Sequence, residues 1–219
     1  MNDLKKFLQE NKNQKLALFN KKIISTDFQI YGVALPNLRK EVKVLAGNGV
    51  TFAEVKPSSL EEVLAKGLLL SYEKDVKTVL QGLKSMLSYF DNWCAVDVIV
   101  GSLKKLNGKD EAFSFFKKCL TDGDEFVVRT GIIGLMKFFA GEKYIKESAK
   151  LISEIKSQLY YIKMAQAWAF CEFFIKNFDI AKDYFLQIQD KDVKKKTAQK
   201  CRDSFRLSKE QKQFITSLT

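Results

Sequence analysis

Asp97 is a carboxylate set in an apolar run, Trp93-Cys94-Ala95-Val96-Asp97-Val98-Ile99-Val100. Two other apolar runs hold a similarly placed residue. Arg129 sits in Phe126-Val127-Val128-Arg129-Thr130-Gly131-Ile132-Ile133, and Trp168 in Met164-Ala165-Gln166-Ala167-Trp168-Ala169-Phe170. Their separations, 32 and 39 residues, are about one helical-hairpin repeat, so a stacked array would bring the three to one face. Trp93 precedes Asp97 by four residues and shares its helical face. An ionised carboxylate in a cleft stabilises a developing cationic sugar or positions a water. Aromatic faces attract cations by roughly 0.5–2 kcal/mol each, and a guanidinium can fork onto phosphate. A purely structural reading competes: Asp97 as a buried carboxylate paired with Arg129 or a helix N-terminus, and Trp168 as one more core aromatic beside 18 Phe and 7 Tyr.

Charge points to a polyanionic partner. The chain carries 37 basic residues against 26 acidic ones, a net +11. The stretch 191–212 alone holds Lys191, Lys194, Lys195, Lys196, Lys200, Arg202, Arg206, Lys209 and Lys212 against Asp192, Asp203 and Glu210, a net +6. The alternative is a solvated terminal helix on a lysine-rich protein. Only four of the 37 are arginines (Arg39, Arg129, Arg202 and Arg206), which marks those positions for the planar fork of that side chain. With no histidine in the chain, His triads, His metal sites and His acid–base chemistry are excluded. The four cysteines, Cys94, Cys119, Cys171 and Cys201, lie in apolar helical patterns without a C-x-x-C, which reads as buried, reduced thiols in a cytoplasmic protein. No apolar run approaches the ~18 residues that cross a membrane, and no phosphate-binding glycine loop occurs.

The elements that must position these residues are helices. Periodicity and stop signals place them at roughly 3–11, 14–23, 36–46, 59–72, 75–89, 92–105, 109–120, 124–139, 143–157, 160–177, 179–187, 191–204 and 208–217. Pro36 opens one helix and Pro57 precedes a Ser59–Glu62 capping box. Asp91, with Asn92 beside it, is the expected N-cap of the helix carrying Asp97. Residues 95–103, 126–140 and 164–175 are apolar on more than one face and must pack on both sides. Apolar inner helices flanked by lysine-rich ones describe an all-α fold, an α-solenoid of HEAT-like helical hairpin repeats, with a compact bundle as the competing arrangement. No Gly-, Ser- or Pro-rich linker divides the chain, so 1–219 reads as a single domain.

Four segments in this order and spacing resemble the AlkD-like DNA glycosylases, the DNA alkylation repair family built of HEAT-like repeats. They are Tyr31-Gly32-Val33-Ala34-Leu35-Pro36-Asn37-Leu38-Arg39, Asp91-Asn92-Trp93-Cys94-Ala95-Val96-Asp97, Phe126-Val127-Val128-Arg129, and Tyr160-Tyr161-Ile162-Lys163-Met164-Ala165-Gln166-Ala167-Trp168. The resemblance implies excision of N3- or N7-alkylated purines by cleavage of the N-glycosidic bond. It assigns Asp97 to stabilising the sugar cation and orienting water, Trp93 and Trp168 to pressing on the deoxyribose, and Arg129 to holding the DNA backbone. It implies no cofactor and no metal. Asn92 and Cys94 stand where glycosylase members carry a second Trp and an Asp, so the segment is also similar to a sister subfamily.

The expected function is thus hydrolysis of alkylpurine glycosidic bonds in duplex DNA by a monomer without sequence preference. Asp97 would be catalytic, and Trp93, Trp168, Arg129, Lys163, Lys194, Lys195, Lys196 and Arg202 would contact DNA. A non-catalytic binder of damaged or branched DNA, or a protein-interaction solenoid, fits the same scaffold.

Overall fold

The structure, a computed structural model, describes residues 2–219. It is all-α: thirteen α-helices run from Asn2 to Ser217, and no strand forms among the described residues beyond one isolated bridge between Gln29 and Ser59. None of these helices is long and apolar enough to cross a membrane. The chain forms two compact units, Met1–Leu106 and Asn107–Thr219. No Gly-, Ser- or Pro-rich linker marks the division, which is why the sequence alone reads as one domain.

The first unit holds α1 (Asn2–Glu10), α2 (Gln14–Ile23), α3 (Leu35–Gly47), α4 (Leu60–Leu70), α5 (Val76–Met86) and α6 (Trp93–Ser102). Its centre is α4, which packs against α3, α5 and α6 and is buried at all of its residues. Three of those residues are charged, and buried charge persists only when it is satisfied. Glu61 accepts from the backbone N–H groups of Tyr31 (3.1 Å), Gly32 (2.7 Å) and Val33 (3.3 Å). Lys66 donates to the carbonyls of Phe52 and Val55, both at 2.8 Å, and its burial lowers the pKa of the ammonium. Ser59 caps the helix by accepting from the Glu62 N–H, while Glu62 reaches back to the N–H and hydroxyl of Ser58. The expected box is therefore closed one residue earlier than its sequence pattern implies.

Two glycines are needed where they stand. Gly32 takes φ +79°, and a β-carbon there would fall 2.2 Å from the Asn13 carbonyl oxygen. Gly67 lets α4 approach α6: a β-carbon would meet the Ile99 side chain at 2.4 Å.

The second unit holds α7 (Asp110–Cys119), α8 (Glu125–Phe138), α9 (Ile145–Ser153), α10 (Tyr160–Lys176), α11 (Phe178–Phe185), α12 (Lys191–Asp203) and α13 (Lys209–Ser217). Here α8 and α10 are the inner helices. α7 packs on α8, α8 on α10, and α10 on α9, α11 and α12, with α13 against α12. Successive helices packing on their neighbours within each unit are consistent with an α-solenoid of helical hairpins. α9 ends earlier than its sequence pattern because the Gln166 amide of α10 donates to the carbonyls of Ile152 (3.0 Å) and Ile155 (3.1 Å). A side chain from another helix thereby satisfies a buried carbonyl at the end of α9 that helix geometry leaves without an intrahelical partner.

Gly67→Ala should destabilise the protein by about 1–3 kcal/mol in urea unfolding, because Ile99 has to move. Gly101→Ala, where a β-carbon meets nothing within 4 Å, should be neutral or stabilise by up to about 1 kcal/mol. Equal effects of the two would contradict the close α4–α6 approach.

Candidate functional site

Within the first unit the site is the opening of α6. Asn92, not Asp91, is its N-cap, accepting from the Ala95 N–H at 2.9 Å. Asp91 is drawn elsewhere: its carboxylate accepts from the Thr26 hydroxyl (2.7 Å), the Asp27 N–H (2.9 Å) and the Asn92 amide (2.7 Å). That pins the segment after α2 to the entry of α6 and fixes the cap's own side chain. The Trp93 indole N–H donates to the Ile23 carbonyl at 2.9 Å, at the end of α2. Its ring is half-buried and its in-plane direction is set by that bond.

One turn on, Asp97 is half-buried rather than sealed in the core. Neighbours on the same helix, Ala95, Val96, Ile99 and Val100, are fully buried, so the carboxylate stands at the margin of an apolar wall. The Cys94 thiol beside it is pushed up to about 11, by burial first and then by the negative charges of Asp97 and Glu61. A thiol held protonated is no nucleophile at neutral pH.

Within the second unit, Arg129 is buried on α8, 5% exposed, and donates to the Tyr161 carbonyl at 2.8 Å. Glu125 accepts from the N–H of the same Tyr161 at 2.8 Å, and the Phe126 ring packs on its ring. α8 therefore grips both backbone polar groups of one residue in the first turn of α10. Trp168, half-buried two turns further along α10, carries the Lys137 ammonium over its ring at 4.6 Å. A protein cation thus already occupies an aromatic face that attracts positive charge.

The expected DNA-contacting lysines fall into different surroundings. Lys163 is buried and lies 2.9 Å from the Asp190 carboxylate and 3.8 Å from that of Asp192, with Gln158 accepting at 3.0 Å. It ties α10 to the start of α12, a structural role that no local pattern in the sequence announces. Its proximity also holds the Asp190 carboxyl below the usual range. Lys196 pairs with Asp192 at 3.0 Å and lies over the Tyr160 ring, and Lys194 lies over the Phe185 ring. Lys195 and Arg202 are exposed, the latter donating to the Gln199 side chain at 2.6 Å. Arg206 forks onto Glu172, which raises its pKa further. Among the described residues, no group of three or more Cys, Asp or Glu is placed to hold a metal ion. Neither Asp91's grip on 26–27 nor the Lys137–Trp168 stacking leaves a signal in the sequence, since each joins residues far apart in the chain.

A family model described as DNA alkylation repair enzyme matches residues 4–201. No curated protein and no solved structure matches the chain.

The raised thiol gives a readout of the charge on Asp97. Iodoacetamide labelling of Cys94 at pH 8, followed by mass spectrometry, should run over a hundredfold slower than for a thiol at the ordinary pKa of about 8.5. The rate should keep climbing about tenfold per pH unit to pH 10, where an ordinary thiol has levelled off. Asp97→Asn, which removes one charge opposing the thiolate, should speed labelling at fixed pH. A plateau by pH 9 would contradict the assignment.

Proposed function

The chain belongs to the family of DNA alkylation repair enzymes, and from that premise we propose that it hydrolyses the N-glycosidic bond of cationic N3- or N7-alkylated purines in duplex DNA. DNA repair is its role and DNA its partner. The glycosidic chemistry and the residues that perform it are the proposal. The observation that carries it is the half-buried Asp97 at the edge of an apolar wall, one turn beyond a tryptophan fixed by Ile23.

An alkylated purine of this kind already bears positive charge, so its departure needs no general acid, which suits a chain without histidine. As the C1′–N bond breaks, positive charge moves to the sugar. A carboxylate in poorly hydrated surroundings favours that transfer and orients the water that completes it. Trp93 supplies a flat apolar face beside it. Phosphate contacts come from the exposed cations of α12, Lys195 and Arg202 foremost, with Lys194 and Lys196 at its flanks. The protein acts as a monomer, and binding follows charge rather than base sequence.

A second reading has a specific observation in its favour: Asn92 and Cys94 stand in place of the Trp and Asp of the family's glycosylase segment. Asn92 is committed to capping α6 and Cys94 to an inert thiol, so neither supplies chemistry. On that reading the protein retains DNA without releasing base.

Chromatographic measurement of N7-methylguanine and N3-methyladenine released from alkylated duplex decides between them. The proposal expects release by the wild type and a loss of about 10²–10³-fold in Asp97→Asn with unchanged DNA affinity. Release no faster than that of Asp97→Asn would eliminate catalysis by this carboxylate. Lys195→Glu should weaken binding and flatten the log–log salt slope by about 0.9 for each phosphate it no longer neutralises. An unchanged slope would show that Lys195 does not meet the DNA backbone.

A further inference from the structure

Phe205 stands outside the fold. Its relative exposure is 102%, and the next most exposed large hydrophobic among the described residues, Tyr160, reaches 57%. It occupies the turn between α12 and α13, in Arg202-Asp203-Ser204-Phe205-Arg206-Leu207-Ser208.

The turn is pinned on both sides of the ring. The Ser204 N–H donates to the Cys201 carbonyl at 3.2 Å, and the Ser204 hydroxyl accepts from the Arg206 N–H at 3.2 Å. The Arg206 guanidinium forks onto Glu172 of α10. Leu207 is buried, and Ser208 opens α13 with a capping box to Gln211. An apolar ring held out by a braced turn gains nothing for the fold, since its burial energy is forgone. Its sequence neighbours carry an excess of positive charge: Lys200, Arg202, Arg206 and Lys209 lie within five residues of it, against Asp203 and Glu210. Together with Trp168, Lys200 and Arg206, and with the carboxylates of Glu172 and Asp203, Phe205 lines one open cleft of about 380 Å³.

We propose that Phe205 is a base-stacking contact: its ring takes the face of an unpaired nucleobase in DNA, while the cations around it hold the adjoining phosphates. An aromatic platform inside a basic surface is how proteins hold unstacked bases without reading sequence. An apolar protein partner would not call for the excess of cations in the segment that carries the ring. The assignment rests on the reading that this chain binds DNA, and it adds preference for a base already out of the helix.

Fluorescence anisotropy with two labelled duplexes, one fully paired and one carrying a single-nucleotide bulge, tests it. Because the side chain touches no core residue, Phe205→Ala should fold as the wild type does. It should lose affinity for the bulged duplex by roughly five- to hundredfold, lose less for the paired one, and keep the salt slope, since every cation that meets phosphate is still present. Phe205→Trp should restore binding. Bulge affinity of Phe205→Ala within twofold of wild type, with wild-type binding intact, overturns the stacking role alone. Failure of the wild type to bind either duplex overturns both this assignment and the DNA-binding reading beneath it. A change confined to the oligomeric state of Phe205→Ala, seen by sedimentation, would make the ring a protein contact and also overturn the proposal.

Discussion

The Glu61 carboxylate, buried on α4, accepts from three consecutive backbone N–H groups at 31–33, and the placement of the candidate site follows from that contact. A carboxylate removed from water is costly unless donors replace its hydration, and converging backbone N–H groups do so with fixed geometry. The segment it holds runs on from α2, whose end is gripped at two further points by the entry to α6. Trp93 binds the Ile23 carbonyl, and Asp91 binds Thr26 and Asp27. Residues 23–33 are thereby fastened to α4 at one end and to the start of α6 at the other. Gly67 brings α4 and α6 into direct contact. The direction of Trp93 and the position of Asp97 one turn beyond it are consequences of this bracing.

The same device recurs in the second unit, where charged side chains fasten one helix to another. Glu125 and Arg129 hold the two backbone groups of Tyr161, and Lys163 holds the carboxylates at the start of α12. Desolvated charges of this kind are costly to orphan, which makes them good fixers of register. What is left for a polyanion is the charge that remains exposed, which on α12 and the turn that follows it is Lys191, Lys195, Arg202 and Arg206.

Most of the helices were legible because apolar spacing and cap residues are local signals. Asn13, Asp75, Asp124 and Asp190 each cap the helix that follows them. The burial of α4 was not legible, since Glu61, Glu62 and Lys66 give its sequence the look of a half-exposed helix. Their partners lie up to 30 residues away in turns whose geometry no periodicity encodes. The choice between Asp91 and Asn92 as cap could not be made from the sequence, because either side chain can do it. Thr26 and Asp27, distant in the chain, decide it. The candidate residues Asp97, Trp93, Arg129 and Trp168 stood out as polar or amphipathic groups in apolar runs. That signal does not separate a cleft residue from one that fastens the fold, and Arg129 and Lys163 each hold a neighbouring element of the second unit. Phe205 left no trace, since one phenylalanine among 18 looks like core until the backbone is known.

In the proposed reaction the charge of Asp97 stabilises positive charge on a sugar. That role is tested most directly by binding rather than turnover, with two duplexes that differ in one atom's charge. One carries a cationic azasugar at an abasic position and the other a neutral tetrahydrofuran abasic residue. Wild type should prefer the cationic duplex by roughly tenfold or more, as an enzyme prefers a mimic of its transition state, and Asp97→Asn should lose the preference while binding the neutral duplex as before. Equal affinity of the wild type for both duplexes, or a preference that survives in Asp97→Asn, would contradict it.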